Sequence, residues 1–297
     1  MTLVSIIMPV WKPRPDWLRN AVASVLAENS GDVELIMVDD GNEVPIAETL
    51  SDIEDARLLI IRVAHVGPYA ARNIGLGAAH GVYVRYFDAD DVVVPGSTGR
   101  LLAAAEAKGA ATVAYGWTMM CDEHLSPERL VSGDFEGDAA EEHLLGRFDV
   151  YITGMLCPAA VLKRVGPWDE TNYRLMGDRD FVQRVLEQAP VVGVGEVVTL
   201  YRRHPKSITR SARPTDAVQA GLRVLKAYFE RHPEKRGTDL YRAAYKNLHV
   251  YRARQFYRLG DRRASLAQLA LAARHDPIAV TSLVLGVVGK RVTRLGR

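Results

Sequence analysis

Residues 82–91 read VYVRYFDADD, a β-branched and aromatic run that ends in a cluster of carboxylates. Val82–Phe87 carries the residue types that favour a strand, and Asp88, Asp90 and Asp91 close it. Working outward towards the N-terminus, Tyr69–His80 is Ala-rich and helical in pattern, entered through Gly67-Pro68 and left at Gly81. Further apolar runs precede it: Leu58–Val63 (LLIIRV), Glu34–Val38 (ELIMV) and Val4–Met8 (VSIIM). Such near-continuous apolar runs suit strands buried on both faces of a mainly parallel sheet. Between the first two strands, Asp16 is placed to cap a helix with Leu18, Val22, Val25 and Leu26 on one side. The alternation of strand and helix predicts right-handed βαβ units and an open α/β sheet.

Past about Ala111 the rhythm breaks. Thr112–Tyr115 and Val197–Tyr201 still read as strands, but the polar, acidic stretch Asp122–Glu142 reads as a surface loop with a short helix. Asp178–Gln188 has a helical pattern, and His204–Pro214 is a basic, polar loop expected to be mobile. After Pro214 the pattern is helical throughout, over Ala217–Arg231, Leu240–Leu259 and Arg263–His275. The 297 residues allow two domains or one large one with an appendage.

Composition narrows the class. The formal net charge of +2 removes the main electrostatic argument for a nucleic-acid binder. Two cysteines, Cys121 and Cys157, are too few for a disulfide framework and fit a reducing, cytoplasmic compartment. The start, MTLVSIIMPVW, lacks the basic stretch and cleavage site of a signal peptide. The apolar segment Ile278–Gly289 falls short of the roughly 18 residues that suggest a membrane span.

Ligands of open α/β sheets bind beyond the carboxyl ends of the strands. There the sequence places Pro9-Val10-Trp11, Asp39-Asp40-Gly41 and Asp88-Ala89-Asp90-Asp91. Residues two apart on an extended backbone project to one side, so Asp88 and Asp90 can address one ion or ligand together. An all-oxygen site of this kind suits Mg²⁺ or Mn²⁺ bridging phosphate oxygens. The segment after the first strand, WKPRP, has no glycine cradle for phosphates.

In order and spacing, VSIIMPVW (4–11), MVDDGN (37–42), GPYAARNIGLGAAHG (67–81) and YVRYFDADD (83–91) resemble the nucleotide-binding half of family 2 glycosyltransferases. LMGDRDFVQRV (175–185) resembles that family's acceptor-side motif, and LYRRHPKSIT (200–209) its closing stretch. The resemblance covers roughly residues 1–212. It implies an α/β fold of GT-A type, an open, mainly parallel sheet flanked by helices. A Rossmann-like nucleotide-sugar-binding half (1–115) would precede an acceptor-side half (116–212), with a helical extension over 213–297.

The resemblance also implies roles. Pro9 and Trp11 would line the base pocket, Asp39 would accept a hydrogen bond from the base, and Asp88, with Ala89 beside it, would meet the ribose. Arg72 would touch the nucleotide or, equally, pair with a carboxylate. Asp90 and His204 would hold a divalent metal, Mn²⁺ or Mg²⁺. Asp178 would be the general base in a single displacement with inversion. The donor would be a nucleotide-sugar, most readily a UDP-sugar, and the acceptor a glycan or polyprenyl-linked hydroxyl in cell-surface polysaccharide synthesis.

One departure matters: Gly177 stands where the family commonly has Glu. Asp180 contests the base role, and a helix-capping role for Asp178 stays open. His65, His80, His124 and His143 show no metal-ligand spacing and read as surface or core histidines. Trp168 borders the acceptor site or packs in the core, and Tyr228, Tyr241, Tyr245, Tyr251 and Tyr257 read as helix-packing residues. The cationic tail Lys290–Arg297 is either a peripheral membrane anchor or the frayed end of a packed helix. A nucleotidyltransferase and a non-catalytic binder of nucleotide-sugar or glycan are the rival readings.

Overall fold

The computed structural model describes residues 4–28, 33–173, 175–205, 207 and 214–281. Two compact units emerge, one from residues 1–140 with 148–211 and one from 141–147 with 212–297.

The first unit opens with strand β1 (Val4–Val10), helix α1 (Pro15–Leu26), β2 (Val33–Asp40), a short α2 (Ile46–Thr49), β3 (Leu58–Val63), α3 (Pro68–Gly77) and β4 (Tyr83–Tyr86). It continues with β5 (Val92–Val93), α4 (Ser97–Lys108), β6 (Val113–Cys121), β7 (Pro127–Val131), β8 (Met155–Pro158), α6 (Ala159–Val165), α7 (Gly177–Leu186) and β9 (Val191–Arg202). Helix α5 (Ala140–Leu144) lies between β7 and β8 in the chain. The sheet runs β3-β2-β1-β4-β8-β6-β9-β5, with β7 paired to β6. Pairing is parallel from β3 to β4. Beyond β4 it is mixed, since β8 and β5 pair antiparallel and β6 with β9 parallel.

Strand alternation splits the interior into two cores. Ile6 and Met8 of β1 join Leu18, Val22 and Val25 of α1 and Leu101 of α4 on one face. Ile7 joins Val84 and Tyr86 of β4 with Trp168, Phe181 and Val185 on the other. Gly75 lets α3 press onto this sheet, because a Cβ there would lie 2.5 Å from the Ile7 Cγ2. Arg85, fully buried on β4, donates to the carbonyls of Thr153 and Val198 and to the hydroxyls of Ser97, Thr98 and Thr199. Burial pulls its pKa down to about 10, and these acceptors are what make the buried cation tolerable.

Several expectations are corrected. Asp16 is not the cap of α1: Pro15 takes the first helical position with its fixed φ, and Asp16 pairs with Arg14 inside the first turn. β3 is an edge strand with Leu59 exposed, so its apolar run is not buried on both faces. The stretch after Asp122 holds strand β7, a hairpin partner of β6. Exposed Tyr251 and Tyr257 do not pack inside the helical unit, whereas buried Tyr228 does.

In the second unit, α8 (Pro214–Arg231), α9 (Asp239–Arg258) and α10 (Arg262–Ala273) pack together. Thr238 and Asp261 cap α9 and α10 by accepting backbone N–H groups. Leu144 joins Leu225, Tyr228, Phe229 and Ala244 in the core of this unit. Lys235 pairs with Glu141 at 2.8 Å, and Asn247 donates to the Leu145 carbonyl at 3.0 Å. No helix among the described residues is long and apolar enough to cross a membrane. The Lys290–Arg297 tail, and most of the His204–Pro214 loop, lie outside the described residues.

Candidate active site

The carboxyl ends of β1, β2 and β4 stand side by side, because β1 pairs with both neighbours in parallel. At the end of β1, Pro9 is half-buried and Trp11 is 47% exposed. The Trp11 ring stacks on His65, centroids 4.6 Å apart and planes 16° apart, and the Lys12 ammonium lies 4.7 Å from its centroid. An exposed indole held flat in this way can receive a planar base.

At the end of β2, Asp39 is buried. Its Oδ1 accepts the Asn42 backbone N–H (3.1 Å) and side-chain amide (2.7 Å), and its Oδ2 accepts Ile46 N–H (3.2 Å) and Arg62 (3.4 Å). Asn42 also donates to the Val10 carbonyl at 2.9 Å, tying this turn to Trp11's strand. Asp40 accepts from Val66 N–H at 2.6 Å and Gly67 N–H at 3.0 Å, and its Oδ2 lies 2.9 Å from His65 Nδ1. Gly41 is required between them: its φ is +72°, and a Cβ would lie 2.6 Å from the His65 nitrogen.

At the end of β4 the carboxylates crowd. Asp88 pairs with the Arg72 guanidinium at 2.5 Å, and that guanidinium lies 4.8 Å from the Trp168 ring. The carboxylate pairing expected of Arg72 is present. Ala89 is half-buried against the first core. Asp90 Oδ2 lies 3.0 Å from His204 Nε2, and His204 sets an edge against Trp17 at 4.9 Å. Asp91 is fully buried; one oxygen accepts the Arg202 N–H at 2.9 Å and the other has no hydrogen-bond partner. Arg202 Nε donates to the Asp90 carbonyl at 2.8 Å, which locks the acidic turn onto the end of β9. Burial raises the pKa of Asp88, opposed by Arg72 and helped by Asp90 and Asp178. Burial, with Asp90 and Asp88, raises Asp91 well above the usual carboxylate range. Carboxylates held this way favour an arriving cation.

Across from them α7 begins. Met176 takes a left-handed φ of 60°, and Gly177 and Asp178 follow. Asp178 is exposed, and its Oδ1 meets the N–H of the next residue at 2.9 Å. Asp180 is buried, bonded by the Tyr173 hydroxyl at 3.2 Å and Arg184 at 2.9 Å. Trp168 is buried, stacked on Phe181 at 3.9 Å.

The structure thus brings Asp88, Asp90 and His204 together, with Asp178 near enough to act on Asp88's titration, and sets Trp11 beside the Asp39 turn. Among the described residues no three His, Cys, Asp or Glu side chains form a metal cage. Asp90 and His204 offer two ligands. That fits a hard ion which takes one or two protein ligands and completes its shell with phosphate oxygens and water. Sequence reasoning placed Asp40 and Asp91 at the strand ends without assigning them a role, read His65 as a surface or core histidine, and gave no role to Asn42 or Arg202. The DDGN spacing was the available signal for Asp40 and Asn42; nothing local marked His65 as Trp11's stacking partner.

Residues 5–150 match the family model for glycosyl transferase family 2. The chain belongs to that family. It is 27% identical over 217 residues to the uncharacterized glycosyltransferase EpsJ of Bacillus subtilis, covering 70% of this chain and 63% of that one. It is 35% identical over 100 residues to the succinoglycan biosynthesis protein ExoW of Rhizobium meliloti, covering 32% and 31%. The chain therefore spans less than two thirds of these relatives. Among solved structures, S. aureus TarS 1–349 superposes with a TM-score of 0.63 at 14% identity, over 95% of this chain and 83% of that one. The same TarS segment in complex with UDP-GlcNAc gives a TM-score of 0.60 at 13% identity, over 93% and 92%. The fold of this family 2 chain is GT-A.

Proposed function

We propose that the chain is an inverting glycosyltransferase, assisted by Mn²⁺ or Mg²⁺, that moves a sugar from a UDP-sugar to a hydroxyl of a glycan or lipid-linked acceptor. Its place would be polysaccharide biosynthesis in the cytoplasm, where buried, free Cys121 and Cys157 stay reduced. The observation that carries the reading is the crowded carboxylate cluster Asp88–Asp91 with His204 on Asp90, facing exposed Asp178. The ExoW name and the UDP-GlcNAc complex of TarS support the substrate class.

In this reading Trp11 stacks the base and the Asp39–Asn42 turn shapes the pocket edge. Asp88, steadied by Arg72, meets the ribose. Asp90 and His204 hold the metal. When bound, the ion neutralises the departing nucleoside diphosphate. Asp178 takes the proton from the acceptor hydroxyl as its oxygen attacks the anomeric carbon from the face opposite the leaving group, so one base suffices.

The test is UDP binding by calorimetry with and without Mn²⁺. Mn²⁺ should tighten UDP binding to the native chain, and Asp90→Ala should lose at least about tenfold, or ~1.4 kcal/mol, of that gain. Binding that stays equally tight and equally sensitive to chelator in Asp90→Ala removes the metal assignment.

A further inference from the structure

We infer that Tyr69 is the positioning residue for Asp178, holding the first turn of α7 in place from the nucleotide side of the fold. The inference rests on the reading of Asp178 as the base. Tyr69 lies in the first turn of α3, directly after Pro68. Its hydroxyl oxygen accepts the Gly177 N–H at 3.0 Å. That N–H belongs to the first turn of α7, where backbone donors have no partner within the helix. The residue in the capping position, Met176, provides no side-chain cap. Tyr69 supplies from another element what Ser or Asp ordinarily supplies from the cap itself.

The ring is held as firmly as the hydroxyl. Tyr69 stacks on Trp168 with centroids 5.7 Å apart and planes 7° apart, and Trp168 stacks on Phe181 of α7. The tyrosine therefore grips α7 twice, at the Gly177 N–H and, through Trp168, at Phe181. The contact leaves no room: a Cβ at residue 177 would lie 2.5 Å from the tyrosine Cζ and 2.8 Å from its hydroxyl oxygen. Glycine at 177 and tyrosine at 69 are a matched pair, and the glutamate common in the family at this place has no space beside Tyr69. Burial, and then the charge of Asp178, push the phenol up to about 12. Tyr69 therefore stays a neutral phenol at working pH, and accepts the Gly177 N–H in that form.

Tyr69→Phe keeps the ring and removes only the acceptor. In the full chain, amide exchange at residues 176–180 should quicken roughly tenfold or more while β1–β4 is unchanged. The KM for UDP-GlcNAc should stay within about twofold. The kcat for UDP release should fall roughly ten- to hundredfold, the scale of a catalytic group displaced by about 1 Å. Gly177→Ala should lower both Tm and kcat, and adding Tyr69→Ala should recover part of each, because the clash is relieved. Unchanged exchange at 176–180 in Tyr69→Phe, or purely additive losses in the double variant, overturns the inference. So does an unaltered kcat in Tyr69→Phe when Asp178→Asn abolishes turnover. If Asp178→Asn leaves turnover intact while the exchange and rescue results hold, it is the base assignment that fails, and Tyr69's hold on α7 stands.

Discussion

At the end of β2, Asp39 and Asp40 are buried and all four of their carboxylate oxygens are met by the chain's own donors. At the end of β4, on the other side of β1, Asp88 and Asp90 have one partner each, Arg72 and His204, and buried Asp91 keeps an oxygen with none. Residue type and strand position are nearly the same, and the difference lies in the donors. Where a turn returns several N–H groups to a carboxylate, the acid is scaffold. Where acids crowd without enough donors, burial raises the pKa values of Asp88 and Asp91, and the cluster is of a kind that suits a cation from outside. The start of α7 repeats the contrast within three residues, with Asp178 exposed and Asp180 buried between Tyr173 and Arg184.

That contrast predicts opposite failures. The largest expected effect is at Asp178. Asp178→Asn should lower UDP release from UDP-GlcNAc by roughly 10² to 10⁴, with Tm and UDP affinity close to native. Asp180→Asn should instead cost roughly 1–3 kcal/mol of stability and keep turnover per folded molecule. The reverse pattern would move the base by two residues and break the distinction between scaffold and chemistry. Next in size is Asp40→Ala, which strands the N–H groups of Val66 and Gly67 and frees His65. It should lower unfolding stability by roughly 2–4 kcal/mol in urea, at about 1–3 per stranded group. A native-like urea midpoint would show that the β2 turn does not depend on its acid.

The parts legible in the sequence are those with a repeating pattern. β1, β2 and β4 are apolar almost throughout and lie in the interior, and their ends locate the acids. Periodicity also finds the helices after residue 214. β7 escaped because Pro127–Val131 is polar and largely exposed, so no apolar face marks it. Residues 141–147 show no local sign that Leu144 packs with Tyr228 and Phe229. The sequence also could not divide labour between Asp39 and Asp40, or between Asp88 and Asp91. That depends on which N–H groups fold back onto each carboxylate, a consequence of loop geometry and not of residue type. Trp11's stack on His65 joins residues 54 positions apart and leaves no periodic trace.

A third arrangement bounds the comparison from below. Asp55 is 23% exposed and pairs with Arg57, which is 30% exposed; its oxygens accept the Arg57 backbone N–H at 2.9 Å, Nε at 3.0 Å and Nη2 at 2.7 Å. Arg57 also donates to the Leu26 carbonyl at 2.7 Å, tying the turn to the end of α1. The guanidinium and the backbone N–H hold the Asp55 pKa at about 2, against an ordinary 3.8. As pH falls, the unfolded chain takes up this proton near 3.8, before the folded chain does so near 2. The pair's contribution is therefore complete above about pH 4 and drains away between about 4 and 2. Because both groups are partly in water, that contribution should stay below about 1 kcal/mol. Asp55→Asn should thus be slightly less stable than the native chain at pH 6, and the gap should narrow at pH 3, as read from urea midpoints at both values. A gap of the same size at pH 3 would mean that the packing of Arg57, and not the charge of Asp55, holds this turn. A worth set by hydrogen bonds would then belong to the buried acids Asp39, Asp40 and Asp180 and not to Asp55.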